Sequence, residues 1–208
     1  YKADVYVNSF MDAPGTGIWL DDYSDDNFDH AGLGFFGGGA IATHVSGGLP
    51  IGFASRNPLG GRSWGADWKQ NIRNYYHRCG FLFVTGCSTA SYANHLDLDP
   101  EYKDYFGNPL LRITFDFPQN DRRMRAFLAG KALEIAASLE LEQPPRADFD
   151  EHYFVTRYQS THNAGGTIMS PTPDQGVVNR YLQSWDLHNL FVMGGSVFPQ
   201  TCLSGWLR

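Results

Sequence analysis

A chain of 208 residues with 42% hydrophobic and 15% aromatic side chains can bury a core, which excludes a disordered polypeptide. Its 22 acidic and 16 basic side chains give a formal charge of −6, and the densest basic cluster, residues 121–125, opens a predicted helix, so nucleic acid is not an expected partner. No apolar run approaches the roughly 20 residues that a membrane span needs.

The cysteines and the N-terminus leave the cellular compartment open. Cys79, Cys87 and Cys202 are an odd, sparse set without the spacing of a disulfide framework or a zinc site. A Cys79–Cys87 bridge is possible, but buried free thiols are the favoured interpretation. No signal-peptide pattern is present. Because the chain starts at Tyr1, we expect further N-terminal sequence, with any targeting signal, to lie outside it.

The first predicted elements are strands separated by glycine and proline turns. Residues 3–8 alternate between polar and apolar side chains, and residues 17–20 are expected to pair with them through the turn at residues 13–15. Residues 34–45 are apolar and rich in glycine. They predict a buried strand with close backbone neighbours.

A helix and two strands are predicted next. The helix covers residues 63–77, beginning near Ser63 and ending before Gly80. Residues 81–84 form a short apolar strand. Residues 110–117 alternate and predict another strand with one apolar face.

The most regular predicted element is a helix from Asn120, acting as N-cap, to about Leu141. One side of it repeats with a period near 3.6 and consists of Met124, Phe127, Leu128, Lys131, Ile135 and Leu139. Residues 189–193 predict a buried strand. Since strands and helices do not alternate as in βαβ units, we expect an α+β fold, with a mostly antiparallel sheet and helices packed on one face.

Two motifs in the first quarter of the chain do not meet the requirements of the binding sites that they resemble. Residues 32–37 match G-x-G-x-x-G, but an acidic loop precedes them and no helical pattern follows, so a dinucleotide phosphate site is not expected. The acidic residues 21–30 do not fit a calcium loop, because Asn27 takes the glycine position and Leu33 that of the bidentate glutamate. We expect a solvated loop in which His30 could pair with a neighbouring aspartate. A metal hydrolase is the weakest hypothesis, and no metal site is expected.

Residues 161–169, Thr-His-Asn-Ala-Gly-Gly-Thr-Ile-Met, place an imidazole and a carboxamide before a pair of glycines. None of the seven histidines has the H-x-x-x-H spacing of a zinc site, and there is no G-x-S-x-G nucleophile elbow. A neutral imidazole, with an unperturbed pKa of about 6.5, is suited to accept a proton near working pH. Taken alone, the same pattern is also typical of a tight turn between strands.

Four blocks together resemble the C-terminal half of the glucose–methanol–choline (GMC) family of FAD-dependent alcohol oxidoreductases, in particular the gluconate, sorbose and fructose dehydrogenase type. The blocks are residues 25–35, 98–114, 161–169 and 176–199, of which the last two are specific as a pair. The resemblance covers nearly the whole chain. It implies a substrate domain at 1–160 and the start of an active-site, FAD-contacting segment at 161–208. A separate FAD-binding α/β domain would complete the parent protein.

The resemblance also implies a reaction, the oxidation of a CH–OH group of a sugar, sugar acid or other alcohol by hydride transfer to FAD. His162 is the expected base near the substrate hydroxyl. Asn163 is the competing alignment and could only orient groups by hydrogen bonds. The expected FAD contacts are Gly165, Gly166, Gly194, Gly195 and Ser196. The family's Asn-Pro-Thr-like segment does not follow Pro199, so we expect the second active-site side chain to lie outside this chain.

Several properties of the parent protein are implied by analogy with the family. These are a cytochrome subunit as a possible electron-transfer partner and a periplasmic or membrane-associated location, with a cytoplasmic one as the alternative. The competing function is a sugar-binding module without chemistry. Aromatic residues that could stack on a sugar are Trp64, Trp68, Tyr75 and Tyr76, although helical core packing is expected for most of them.

Overall fold

The computed structural model describes residues 17–43, 62–147, 150–155 and 163–201. They form an α+β fold in which the strands of all three sheets pair antiparallel, as expected. The strands are β1 (Trp19–Leu20), β2 (Gly39–Thr43), β3 (Leu82–Gly86), β4 (Ser88–Thr89), β5 (His95–Lys103), β6 (Pro109–Thr114) and β7 (Gln200–Thr201). The helices are α1 (Ala66–Tyr75) and α2 (Gln119–Ala137), with 3₁₀ turns at Asp25–Asn27, Tyr76–Arg78 and Gly195–Val197.

The chain divides into two compact units. The first consists of Tyr1–Gly86 and Arg123–Phe149, and the second of Cys87–Arg122 and Asp150–Arg208. The predicted strand at residues 3–8 lies outside the described residues. Within the described part of the chain, no helix combines the length and the apolar character needed to cross a membrane.

The first unit is built on the sheet β1-β2-β3, with β2 in the centre. The predicted buried strand is confirmed at Gly39–Thr43, where Ala40 and Ile41 are completely inaccessible to solvent. Helix α2 packs on this sheet at glycine positions. A Cβ on Gly39 would lie 2.1 Å from the Thr85 carbonyl oxygen and 2.8 Å from Leu128 Cδ1. The glycine therefore permits the close backbone approach that the sequence predicted.

The buried stripe of α2 matches the predicted one at Met124 and Leu128 and differs from it toward the end of the helix. It consists of Met124, Leu128, Ala132 and Ala136, which are spaced four residues apart. Ile135 is only half-buried, and Leu139 lies beyond the end of the helix and is exposed. Alanine side chains let the helix axis come close to its neighbour. The small residues are therefore buried in place of the larger side chains that the periodicity favoured.

The predicted ends of both helices need correction. Helix α1 begins at Ala66, after Gly65 with φ 94°, and not near Ser63. Helix α2 begins at Gln119, so Asn120 lies inside its first turn and is not the N-cap. Neither α1 nor the following 3₁₀ turn buries a residue. The expected core packing of the aromatic residues is therefore wrong. Trp64 is exposed, and Trp68, Tyr75 and Tyr76 are half-buried.

The acidic loop folds onto an aromatic cluster in the first unit. Phe28 stacks on Phe127 with ring centroids 5.6 Å apart, and Tyr23 and Phe35 pack against the same ring. His30 Nε2 lies 2.6 Å from the Gly37 carbonyl oxygen. It does not pair with Asp29, whose carboxylate accepts a hydrogen bond from the Ala31 N–H. The G-x-G-x-x-G match is followed directly by β2, not by the helix that a phosphate site needs.

The second unit has fewer buried apolar side chains. Cys87, Val178 and Val197 are its buried hydrophobic residues among those described. Its longest strands, β5 and β6, form a hairpin that pairs with no other described strand. Residues 189–193 are not the buried strand that was predicted, because Leu190, Phe191 and Met193 are exposed. An apolar run predicts that a segment is buried, but burial also requires another element that packs against the segment.

The cysteines depart from expectation in one respect. Cys79 is a buried thiol, as expected, and is not part of a disulfide. Cys87 is also buried, but it is disulfide-bonded. The suggested Cys79–Cys87 bridge is therefore wrong, as is the expectation that Cys87 is a thiol.

Candidate active site

Two glycine-containing segments that are 30 residues apart in the chain lie side by side in the second unit. The N–H groups of Thr167 and Met169 donate to the carbonyl oxygens of Ser196 and Val197, both at 2.9 Å. The Gly165 N–H donates to the Gly195 carbonyl oxygen at 3.4 Å. Residues 163–169 and 194–197 therefore form one local structure, which we call the glycine turn.

A hydroxyl pair joins the same segments through their side chains. Thr167 Oγ1 donates to Ser196 Oγ at 2.8 Å, and both residues are half-buried. The sequence singled out Ser196 as a cofactor contact but gave Thr167 no role. Two hydroxyls in neighbouring blocks carry no periodic signal, so their contact could be found only from the fold.

The backbone geometry of the turns favours glycine strongly at two of the predicted positions, and a third has little room for a side chain. Gly165 has φ 86° and Gly194 has φ 104°, which are conformations that residues with a Cβ rarely adopt. At Gly195, a Cβ would lie 3.1 Å from the Asn163 carbonyl oxygen. Gly194 and Gly195 are exposed, so the turn presents backbone, not side chains, to its surroundings.

Of the two candidate polar residues, Asn163 is the one that the structure describes, and it stands just before this turn. Asn163 is exposed and close to Gly195 through its carbonyl oxygen. His162 precedes Asn163 in the chain and lies outside the described residues. The structure therefore places Asn163, Gly165, Gly166, Gly194, Gly195 and Ser196 in one region, while the position and role of His162 stay predictions.

A hydrogen-bonded scaffold, formed by residues 170–183, follows the first segment of the glycine turn in the chain. Val178 is fully buried and its carbonyl oxygen accepts from the Ser170 N–H at 2.9 Å. Asn179 closes a tight loop, since its Oδ1 accepts from the Tyr181 N–H at 2.8 Å and its own N–H donates to the Gln183 carbonyl oxygen at 2.9 Å. Asparagine often closes a turn through its side chain, so Asn179 is a residue from which this turn could be predicted in the sequence.

An anchor in the second unit joins the segment between β6 and α2 to residues 150–155. Asp116 Oδ2 accepts a hydrogen bond from His152 Nδ1 at 2.6 Å, and its Oδ1 accepts from the Tyr153 N–H at 2.8 Å. These contacts, led by the one from His152, hold the pKa of Asp116 well below its usual range. The pair fastens residues 150–155 to the end of β6. Neither side chain was singled out from the sequence.

The β5–β6 hairpin touches the glycine turn at its base. Leu96 Cδ1 lies 3.4 Å from the position that a Cβ on Gly166 would occupy. In the described part of the chain, no group of three or more histidine, cysteine, aspartate or glutamate side chains is arranged to hold a metal ion. The region thus combines an exposed backbone turn, a carboxamide, a hydroxyl pair and an aliphatic neighbour.

Comparison with known proteins identifies the family to which this arrangement belongs. The C-terminal family model described as GMC oxidoreductase matches residues 90–205, which is more than half of the chain. The chain belongs to the GMC oxidoreductase family. The match spans both segments of the glycine turn, so the family resemblance seen in the sequence is confirmed.

Three curated relatives of this GMC chain are dehydrogenases. The gluconate 2-dehydrogenase flavoprotein of Pantoea cypripedii is 41% identical over 206 residues, covering 96% of this chain and 33% of the relative. The fructose dehydrogenase large subunit of Gluconobacter japonicus is 32% identical over 50% of this chain and 18% of the relative. The 2-methyl-1,2-propanediol dehydrogenase of Mycolicibacterium austroafricanum is 25% identical over 64% of this chain and 23% of the relative. The chain thus spans at most about a third of the length of these relatives.

Proposed function

We propose that this chain is the C-terminal, substrate-side part of an FAD-dependent dehydrogenase that oxidises a CH–OH group of a sugar, sugar acid or other alcohol. The observation that carries the proposal is the meeting of residues 163–169 with residues 194–197 in the glycine turn. These are the two blocks that the family resemblance assigns to the active site and the cofactor. The names of the three relatives, all dehydrogenases of an alcohol or sugar, support the reaction class.

The residues of the turn suit contact with a flavin. Gly194 and Gly195 are exposed and have no side chain to hold a planar ring or a phosphate away from the backbone. Gly195 and Ser196 begin a 3₁₀ turn, so their N–H groups have no acceptor within it. Gly165, Gly166, Gly194, Gly195 and Ser196 are the residues that would contact FAD. The flavin, when bound, supplies the hydride acceptor.

The protein's own contribution to the reaction would be made next to this turn. His162 would accept the proton of the substrate hydroxyl, because a neutral imidazole can act as a base near pH 7. Asn163 cannot accept a proton, and would orient the hydroxyl or the flavin by hydrogen bonds. The glycine turn and the Thr167–Ser196 hydroxyl pair would hold the segment that carries both side chains in place.

The partners of the parent protein also follow from the family as proposals. A small-molecule alcohol or sugar is the proposed substrate. One relative is named a large subunit, which supports a further subunit in an assembly of this kind, and a cytochrome that receives electrons is our candidate. A periplasmic or membrane-associated location remains a prediction.

The test uses the full-length parent protein, defined as this chain together with the sequence that extends it to the length of its relatives. The first measurement is the visible flavin spectrum after incubation with FAD and desalting. The second is the rate at which gluconate, fructose or 2-methyl-1,2-propanediol bleaches the flavin band. A colourless full-length protein that still binds a sugar would overturn the flavoenzyme proposal and leave the sugar-binding module in its place.

The two active-site alignments are separated by a pair of variants. His162→Ala is expected to slow flavin bleaching by about 10²- to 10⁴-fold, the usual effect of losing a general base. Asn163→Ala is expected to slow it by about tenfold or less, since only a hydrogen bond is lost. Equal flavin content in both variants is the control for folding. The reverse order of the two effects would assign the active-site position to Asn163.

A further inference from the structure

In its regularly paired part, residues 95–98 with 111–114, the β5–β6 hairpin has one face of aliphatic side chains. Leu96 lies opposite Ile113 and Leu98 lies opposite Leu111, so all four point to the same side. We call this set the aliphatic face. The opposite side carries polar residues at the intervening positions, namely His95, Asp97, Arg112 and Thr114.

The aliphatic face is exposed although its composition is that of an interior surface. Leu98 and Leu111 are 63% and 61% exposed, and Leu96 and Ile113 are also exposed. A two-stranded hairpin is only marginally stable by itself in water and normally needs a further strand or a packed neighbour. Neighbouring apolar side chains that remain exposed in this way mark a contact surface.

The polar side of the hairpin is satisfied without any partner. Arg112 pairs through two nitrogens with the Asp97 carboxylate across the strands, and this pair holds the pKa of Asp97 below its usual range. The hairpin therefore has one side suited to water and one side suited to another apolar surface. If another body covers the hairpin, this difference predicts that it covers the aliphatic face.

The aliphatic face begins at the candidate active site. Leu96, at its base, is the side chain that lies 3.4 Å from the Cβ position of Gly166. From there the face continues along the hairpin through Leu98 and Leu111. A body that covers the glycine turn would meet the aliphatic face directly beside it.

We infer that the flavin-binding part of the parent protein covers the aliphatic face, so that one surface of that part contacts both the glycine turn and the hairpin. This inference rests on the proposed function. The length of chain outside this structure supports it, because 206 aligned residues make up only 33% of the Pantoea relative. About two thirds of such a flavoprotein is thus available as cover, and it must reach the glycine turn to present its cofactor there.

Cysteine accessibility in the full-length parent protein tests the inference. Leu98→Cys places a thiol on the aliphatic face, and Thr114→Cys places one on the polar side of the same hairpin as the matched control. The unchanged protein gives the background from its own cysteines, and denatured samples give complete labelling. We expect a thiol-reactive maleimide to label Leu98→Cys at least tenfold more slowly than Thr114→Cys, at every protein concentration and without any other subunit present.

Three results would overturn the inference. Equal labelling rates would show that the aliphatic face is open in the parent protein. Protection of Leu98→Cys that disappears on dilution would assign the face to a second copy, and protection only when another subunit copurifies would assign it to that subunit. Failure of the proposed function gives a different pattern, namely a full-length protein that binds no flavin whatever its labelling rates.

Discussion

Strand β2 and the β5–β6 hairpin are both rich in apolar residues, but they are used in opposite ways. In the first unit, β2 is buried between its neighbours and under α2, and glycines at its contact points allow backbones to approach. In the second unit, the aliphatic face of the hairpin is exposed, and hydrogen bonds to a carboxylate hold the turn between its strands. The first unit therefore carries its own core, whereas the second leaves an apolar surface exposed.

The largest effect that distinguishes the two regions is expected from Gly39→Ala in the first unit. The added Cβ would lie 2.1 Å from the Thr85 carbonyl oxygen, which belongs to the paired strand and cannot move aside like a side chain. We expect destabilisation of about 3 kcal/mol or more, at the upper end for overpacked cores. The measurement is the midpoint of thermal unfolding of the full-length parent protein.

Gly130→Ala is the matched control for this substitution. Gly130 lies in α2, and nothing lies within 4 Å of the position of its Cβ. Alanine in a helix interior is favoured over glycine, so this variant should be about 0.5 to 1 kcal/mol more stable. If both variants had the same midpoint, the close approach of β2 and β3 would not be a source of stability.

The sequence predicted those helices and strands whose own residues show a clear pattern. Helix α2 and strand β6 are regular enough for periodicity to find them, and strand β2 was found from its apolar, glycine-rich composition. Strand β5 was missed because it contains Pro100 and alternates with charged residues, and the hairpin has a register shift between Leu98 and Lys103. Ala132 and Ala136 on the buried side of α2 were also missed, since packing distance and not hydrophobicity selects alanine there.

The candidate site was predictable in outline but not in its contacts. The glycine blocks around Gly165 and Gly195 were expected to share a site, and the structure brings them together. The Thr167–Ser196 hydroxyl pair and the Asp116–His152 pair join residues that are 29 and 36 positions apart. Such contacts depend on how the fold brings distant segments of the chain together, which no local sequence pattern encodes.

A smaller effect is expected where the second unit relies on a buried polar contact. Asp121 is 2% exposed, and its carboxylate accepts hydrogen bonds from the Thr89 hydroxyl at 3.0 Å and the Thr89 N–H at 3.4 Å. Asp121→Ala leaves both donors without this acceptor, which should cost about 1 to 3 kcal/mol. Thermal unfolding of the full-length parent protein measures this loss.

An exposed carboxylate on the same helix is the control for Asp121. Glu134 pairs with Lys131 at 2.8 Å on the surface of α2. Glu134→Ala should change stability by less than about 0.5 kcal/mol, as is usual for exposed ion pairs. Equal losses from the two variants would contradict the idea that buried polar contacts hold the second unit together.

The smallest expected effect concerns pH and the anchor between β6 and residues 150–155. The hydrogen bonds from His152 and the Tyr153 N–H lower the pKa of Asp116 in the folded protein. A lowered pKa contributes stability that is present above the unfolded value of about 3.9 and is lost as the pH falls below it. Thermal midpoints of the full-length parent protein at pH 6 and pH 3 should therefore differ less in Asp116→Asn than in the unchanged protein. Asp174→Asn is the comparison variant. The pKa of Asp174 is also lowered, by a contact with Thr172 away from the anchor, so this substitution should reduce the acid sensitivity too, but less than Asp116→Asn does. If Asp174→Asn reduced the acid sensitivity as much as Asp116→Asn, the effect would reflect net charge and not the fastening of residues 150–155.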